Sequence, residues 1–455
     1  MPLVVRAGEV RARVPDALYE VGGVAVGRRG KRAMKRRLVI IGALACLGGC
    51  RAYHPAPVDV GAFERDYASR AERIEVGGGI DRARAEGLAL VFHPDLRAAR
   101  ARAGIERVNA LHAGLWTDPM LGLDLMRMLE GGAAWEAMLS AEVTLPVSGR
   151  LGALKRTADA RHALELQRVE AMEWEKRMEV RKAWAAWEAS EERARALDDA
   201  LGDLAALVGI LEGRERAGEG KRLETDLYRL AYSIARSERA REALMCDEAR
   251  LGVLRAMGMP PEAGIELKPG GWASERTVSG FEGHPLLRVA LAEHRVAEEE
   301  LAYEVRMQYP DIEVGAGAGR QDGGRRVRLG VALPVPVFNA NRGGIARAEA
   351  VRLSAAEAVS GAWEALAGEW ALARVRVERA RERARIVEEE VKPLAERRRR
   401  DAVEVARAGE VDPAMLLETI EGLREAAIEA AGARLELRSA LVRLEELAGP
   451  GEESP

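Results

Sequence analysis

Apolar residues along this chain keep two different periods, arranged in alternating blocks. Leu121, Leu123 and Leu125 alternate with Gly122, Asp124 and Met126, and beyond Gly131-Gly132 the residues Leu139, Ala141, Val143 and Leu145 alternate with Ser140, Glu142 and Thr144. The pattern returns at Ile312, Val314, Ala316 and Ala318 and, after Gly323-Gly324, at Val327, Leu329, Val331 and Leu333. A period of two sends alternate side chains to opposite faces of a strand. Four amphipathic strands are therefore predicted, near 119–128, 137–146, 311–320 and 326–334, in two hairpins. Each has one apolar face and one small, polar or charged face, over a length that suits the ~9–11 residues of a tilted membrane-crossing strand. Two soluble hairpins packed on helices would show the same alternation.

Each hairpin precedes a long stretch of helical character, Ser148 to about Arg216 and Asn341 to about Arg407. At 1.5 Å per residue such a stretch, if continuous, reaches roughly 100 Å, too long for a compact domain. Leu197, Leu201, Leu204, Val208 and Leu211 step by fours and threes, as do Leu223, Leu227, Leu230 and Ile234, the spacing of a coiled-coil hairpin. Its turn spans Arg216 to Lys221 and holds Gly218 and Gly220, while the corresponding turn at Ala408 to Pro413 holds Gly409, with Pro413 opening the next helix. Pro393 should bend the second long helix or break it in two. The segment after His93-Pro94 reads as a helix that meets no breaker before Asp118-Pro119.

These blocks occur twice, in the same order. His93-Pro94-Asp95-Leu96-Arg97 returns as His284-Pro285-Leu286-Leu287-Arg288, Asp118-Pro119 as Tyr309-Pro310, Leu145-Pro146 as Leu333-Pro334, and Arg216-Ala217-Gly218-Glu219 as Arg407-Ala408-Gly409-Glu410. The offset stays near about 191 residues, which points to duplication of one unit. Repeats are assigned to 80–267 and 268–449, with 450–455 as a tail.

Composition agrees with packed long helices: 48 % of the 455 residues are apolar, 31 % charged and only 4 % aromatic. Seventy basic and 73 acidic residues nearly cancel, so no overall field attracts nucleic acid. The six histidines have no second ligand at helical spacing, and no nucleophile–base pairing or phosphate loop stands out, so neither an enzyme nor a cofactor site is expected. Arg397 to Arg400 read as a solvated basic helix face, Met126, Met128 and Met138 as packing, and Cys246 as inert.

The longest apolar run, Leu38 to Gly49, follows Lys35-Arg36-Arg37 and ends in Leu47-Gly48-Gly49-Cys50. A basic head, a short apolar core and small residues before a cleavage point read as a signal peptide over 34–49, beginning at Met34, with 1–33 an upstream extension from a mis-set start codon. The last four residues resemble the bacterial lipobox, which implies acylation of Cys50 and a lipid anchor ahead of a linker over 50–79.

Four amphipathic strands cannot close a barrel alone, so several chains must contribute to one ring. The repeats beginning His-Pro-x-Leu, the hairpins ending Leu-Pro-Val-Ser-Gly-Arg and Leu-Pro-Val-Pro-Val-Phe-Asn-Ala-Asn-Arg-Gly, and the Arg-Ala-Gly-Glu turns resemble the TolC-type outer membrane efflux proteins. The resemblance covers roughly Ile80 to Leu447. It implies a mainly α chain with a small β contribution: a homotrimer closing a twelve-stranded barrel in outer-membrane lipid, continued by an α-helical tunnel through the periplasm. It further implies a periplasmic adaptor that joins the helical tips to an inner-membrane pump, the channel itself being passive and gated. On this resemblance Gly218 and Gly409 face the adaptor, with Arg216, Glu219, Arg407 and Glu410 around them. Glu224, Asp226 and Glu418 are candidates for a periplasmic gate, although Met415 stands where an acid is common. Strand alternation then directs Asp124, Glu142, Glu313 and Arg328 toward the barrel lumen. The competing reading is a periplasmic structural or adaptor coiled-coil lipoprotein whose hairpins are soluble.

Overall fold

The computed structural model describes residues 53–74, 79–127, 135–270, 272, 280–321, 324–407 and 413–450. The signal segment, Cys50, Gly131-Gly132, Gly323, Gly409, Glu410 and 451–455 lie outside these residues, as does the side chain of Arg407. The chain divides into two units at Phe63 and Glu64. The described part of the first is largely exposed extended chain running into helix α1 (Val60–Ala68). The second unit holds the remaining elements.

That unit repeats one order of elements. The first pass is α2 (Arg82–Phe92), α3 (Pro94–His112), β1 (Met120–Arg127), β2 (Trp135–Leu145), α4 (Arg150–Arg216) and α5 (Arg222–Ala256). The second is α6 (Pro285–Met307), β3 (Ile312–Gln321), β4 (Gly324–Ala332), α7 (Arg342–Ile386), α8 (Lys392–Arg407) and α9 (Pro413–Ala448). The mainly helical architecture with four strands is the one that the two periods predict.

The repeats open on the same device. His93 and His284 are the N-caps of α3 and α6, and their Nδ1 atoms accept from the N–H groups of Asp95 at 3.3 Å and Leu286 at 3.2 Å. A proline follows each cap, at the helix position where the missing N–H has no partner to lose. Helix α3 stops at His112, short of the Asp118-Pro119 end that the sequence suggests, because the chain leaves the helix at Gly114 with φ +75°. A β-carbon at Gly114 would lie 2.7 Å from the Leu151 carbonyl oxygen, so this crossing of α4 requires glycine.

Helix α4 runs unbroken for 67 residues, about 100 Å at 1.5 Å per residue. Its counterpart is broken in two by a five-residue π-helical turn at Val387–Val391, immediately before Lys392-Pro393. Pro393 offers no N–H to the carbonyl one turn back, and the wider turn absorbs the misfit. Burial is strung along the helices in separate clusters. One holds Ile80, Trp184, Trp187, Val253, Leu254, Met257 and Met259, another Leu204, Leu211, Tyr228, Leu417 and Ile420, and a third Ala384, Val387, Ala430 and Ala433. Among the described residues no helix is long and apolar enough to cross a membrane.

Candidate functional site

The four strands form one antiparallel sheet in chain order, with β2 joined to β3 from Leu145↔Ile312 to Ala137↔Arg320. The two halves thus share one sheet, whose edges are β1 and β4. Register assigns the faces. Asp124 lies opposite Met138, Glu142 opposite Met120 and Gly315, Glu313 opposite Thr144 and Ala332, and Arg328 opposite Gly317. Directly opposed residues share a face, so all four lumen candidates fall on the same one. Glu142, Glu313 and Arg328 line a single hollow of about 120 Å³, whereas Asp124 on β1 stands outside it.

Glycines shape this polar face. Gly315, Gly317 and Gly319 alternate along β3 and leave it bare, so that side chains of β2 lie across it; a β-carbon at Gly315 would stand 3.0 Å from Glu142 Cγ. At Gly319 it would stand 2.3 Å from the Ala137 carbonyl oxygen, where only hydrogen fits. The opposite face carries Leu121, Leu123, Leu125, Leu139, Val143, Val314, Val327, Leu329 and Val331, and it is open: Leu121 is 79 %, Val327 77 % and Leu329 82 % exposed. Such a continuous uncovered apolar face is rare on a water-soluble monomer.

Strand passes to helix through the two hairpin-ending motifs. After β2, Ser148 Oγ accepts from the Arg150 N–H at 3.3 Å, Gly149 takes φ +74°, and Arg150 Nε donates to Asp311 Oδ2 at 2.6 Å. The bond to Asp311 ties the end of one hairpin to the start of the other. After β4 the equivalent N-cap is Asn341 at φ +53°, preceded by Ala340 at φ +43°; the Asn341 amide donates to the Glu304 carbonyl at 2.8 Å and to its carboxylate at 2.6 Å. Left-handed geometry favours Gly and Asn, which explains the Ser-Gly-Arg and Ala-Asn-Arg sequences at these corners.

At the α4–α5 tip the Arg214 carbonyl accepts from the N–H groups of Glu219 at 2.9 Å and Gly220 at 3.1 Å, and the Glu215 carbonyl from that of Gly218 at 3.0 Å. Gly218 takes φ +79°, the left-handed residue such a helix end needs. Backbone geometry by itself therefore favours glycine here. Arg216 and Glu219 are exposed beside it, Arg216 folding back to donate to the Glu212 carbonyl at 3.1 Å.

The gate candidates fall into separate pairings around one shared core. Asp226 meets Arg229 at 3.2 Å and Arg222 at 3.6 Å, and Glu418 meets Arg398 at 2.8 Å, while Glu224 is half-buried in the first turn of α5. Tyr228 from α5 and Leu417 and Ile420 from α9 join Leu204 and Leu211 of α4 in one cluster, so both return helices pack on α4 at this level.

One cluster escaped the sequence reading. Glu188 is 3 % exposed; it accepts from the Gly270 N–H at 2.6 Å and the indoles of Trp184 at 3.2 Å and Trp272 at 2.5 Å, and pairs with Arg438 at 3.1 Å. Arg82 and Arg438 cover the Trp272 ring at 4.4 and 5.5 Å. Next to it Arg181 grips Glu86 at 2.7 and 3.0 Å and also meets Glu445; burial pulls its pKa down, but these carboxylates outweigh it and hold Arg181 above the ordinary arginine value. The available signal was an acid, Glu188, set among Trp184, Ala185, Trp187 and Ala189 on a helix.

With this geometry the fold is that of the solved outer-membrane channels. VceC, an outer membrane protein of Vibrio cholerae, matches with a TM-score of 0.68 and 18 % identity over 82 % of this chain and 97 % of its own. CusC, described for transmembrane channel formation, matches at 0.68 and 14 % over 88 % and 99 %, and the open MtrE outer membrane channel of Neisseria gonorrhoeae at 0.66 and 17 % over 81 % and 89 %. No protein-family model matches the chain, and no curated protein matches it in sequence.

Proposed function

We propose that the chain is the outer-membrane channel subunit of a tripartite efflux or type I secretion system, three copies closing one twelve-stranded barrel. The sheet carries this reading: two open edges, β1 and β4, bound a surface with one uncovered apolar face and one face of glycine and charge. Unpaired strand edges are unfavourable in lipid unless the ring closes. The strands alternate in direction, so β4 of one copy can pair antiparallel with β1 of the next. The apolar face then meets lipid and Asp124, Glu142, Glu313 and Arg328 line the lumen.

The long helices extend the ring as a tunnel, and the glycine turns at Gly218 and Gly409 meet a periplasmic adaptor. Arg216, Glu219, Arg407 and Glu410 supply polar contacts there. Glu224, Asp226 and Glu418 lie toward the closed mouth, and the adaptor couples the conduit to an inner-membrane pump. Acylation of Cys50 anchors the N-terminus; intact mass of the mature protein tests it, an unmodified Cys50 overturning the anchor alone.

The decisive experiment is purification from membranes in mild detergent followed by planar-bilayer recording. A heat-sensitive oligomer with ion conductance is expected. A monomer that conducts nothing and enters the aqueous periplasm once its lipid is removed overturns the reading in favour of a coiled-coil adaptor lipoprotein.

A further inference from the structure

The apolar face of the sheet is not uniformly apolar. Across its described strand residues it carries three charges, Arg127, Arg320 and Arg325, and no acid. All three lie at the hairpin end, away from the helices. Arg127 is the last residue of β1, opposite Trp135, and its guanidinium lies 5.7 Å from that indole. Arg320 and Arg325 face each other across β3 and β4 one residue from the turn. All three are exposed, and below them the face runs through Leu125, Ala137, Ala318 and Val327 into the Leu and Val band.

Two features of this row call for an anion. Like charges directly opposed on neighbouring strands repel, yet Arg320 and Arg325 are so placed with no carboxylate on their side of the sheet among the described strand residues. The three are also spread along the rim: Leu125 and Ala137 are level with Arg320, so Arg127 stands two strands away and two residues nearer the turn, a separation of about 12 Å. Guanidiniums spread in this way along the rim of an apolar band fit a plane of anions better than one small ion.

We propose that Arg127, Arg320 and Arg325 bind the phosphate groups of the membrane leaflet at the hairpin end, which in an outer membrane are those of phosphorylated glycolipid. The assignment rests on the membrane reading of the sheet. Guanidinium pairs with phosphate through two parallel N–H bonds, and Trp135 holds the indole position usual at a headgroup boundary. Closing a ring of three would set nine such arginines around the barrel. The polar face, where Arg326 and Arg328 stand among acids, takes no part.

The test compares the native oligomer with the variant Arg127→Gln, Arg320→Gln, Arg325→Gln after reconstitution in phosphatidylcholine vesicles, alone or containing bisphosphorylated lipid A or its dephosphorylated form. Lipid A retained through re-purification and the temperature of oligomer dissociation are read. The native protein is expected to retain lipid A and dissociate at a higher temperature with it, and not with the dephosphorylated form. The variant inserts equally in phosphatidylcholine but retains about tenfold less lipid A or lower still, since each basic group near an anionic surface adds to the attraction. Equal retention by both proteins, or equal stabilisation by dissolved pyrophosphate, overturns the proposal while leaving the channel reading intact. Failure of the native protein to insert into any vesicle overturns both.

Discussion

The indole N–H of Trp272 donates to the carboxylate of Glu188 at 2.5 Å, and through this bond the segment joining the two repeats is fastened to the middle of the longest helix. Glu188 also takes the Gly270 N–H and the charge of Arg438, so one buried carboxylate collects donors from α4, α9 and the inter-repeat chain. Glu188→Ala should cost about 3–5 kcal/mol, because it leaves three N–H donors without their acceptor and Arg438 with only the longer contact to Glu192 at 3.5 Å. Glu188→Gln keeps an acceptor and should lose less. Urea unfolding of the detergent-solubilised protein measures both, and equal stability of Glu188→Ala and native protein would refute the assignment.

The histidine caps make stability depend on pH. His93 and His284 accept N–H bonds through Nδ1, which only the unprotonated ring can do. Burial lowers His93, aided by Lys176 against Glu179 and Asp95, and burial lowers His284 against the pull of Glu446. Below the unfolded value of 6.5 the unfolded chain therefore binds more protons than the native state. Their stabilisation is complete above that pH and is lost as pH falls through the lowered native values, with a limiting slope of about 1.4 kcal/mol per pH unit for each histidine. The double variant His93→Asn, His284→Asn retains capping groups. Its unfolding midpoints, followed from about pH 7.5 to about pH 5, should show a shallower acid decline than the native protein's.

Gly319 and Gly330 lie on the same polar face but have different freedom. Gly319→Ala drives a β-carbon to 2.3 Å from the Ala137 oxygen and 2.8 Å from Met138 Cα, which must part β2 from β3. Near Gly330 the nearest atom is Arg328 Nε at 4.0 Å. Gly319→Ala is expected to abolish the heat-sensitive oligomer on unheated gels, and Gly330→Ala to preserve it.

At the tip, fold and recognition can be separated. Gly218→Val should destabilise the hairpin by about 1–2 kcal/mol through its left-handed backbone. Asn tolerates that conformation, so Gly218→Asn should unfold like the native protein. If the tip contacts an adaptor, Gly218→Asn still weakens cross-linking to it in intact cells; unchanged cross-linking would reduce Gly218 to a turn residue.

Much of this architecture was legible in the linear pattern. A period of two at Leu121 to Leu125 and Val327 to Leu333, steps of three and four at Leu197 to Leu211, and the duplicated His-Pro starts each reflect local geometry, and such geometry is written into neighbouring residues. Pro393 broke its helix because a missing N–H acts within a single turn. The alternation also placed Asp124, Glu142, Glu313 and Arg328 on one face, since register follows the same period.

What the chain order could not carry was contact between residues far apart in it. Nothing near Gly114 announces that α4 passes within a β-carbon's reach, and nothing near Glu188 announces Trp272 or Arg438. Nothing in the linear order sets Arg320 directly opposite Arg325; the pairing of β3 with β4 does. Spacing along the backbone is enough to specify the elements, their duplication and the two-faced strands. Contacts between distant segments set which buried carboxylate gathers the repeats together and which arginine stands opposite which, because those depend on distances that spacing does not encode.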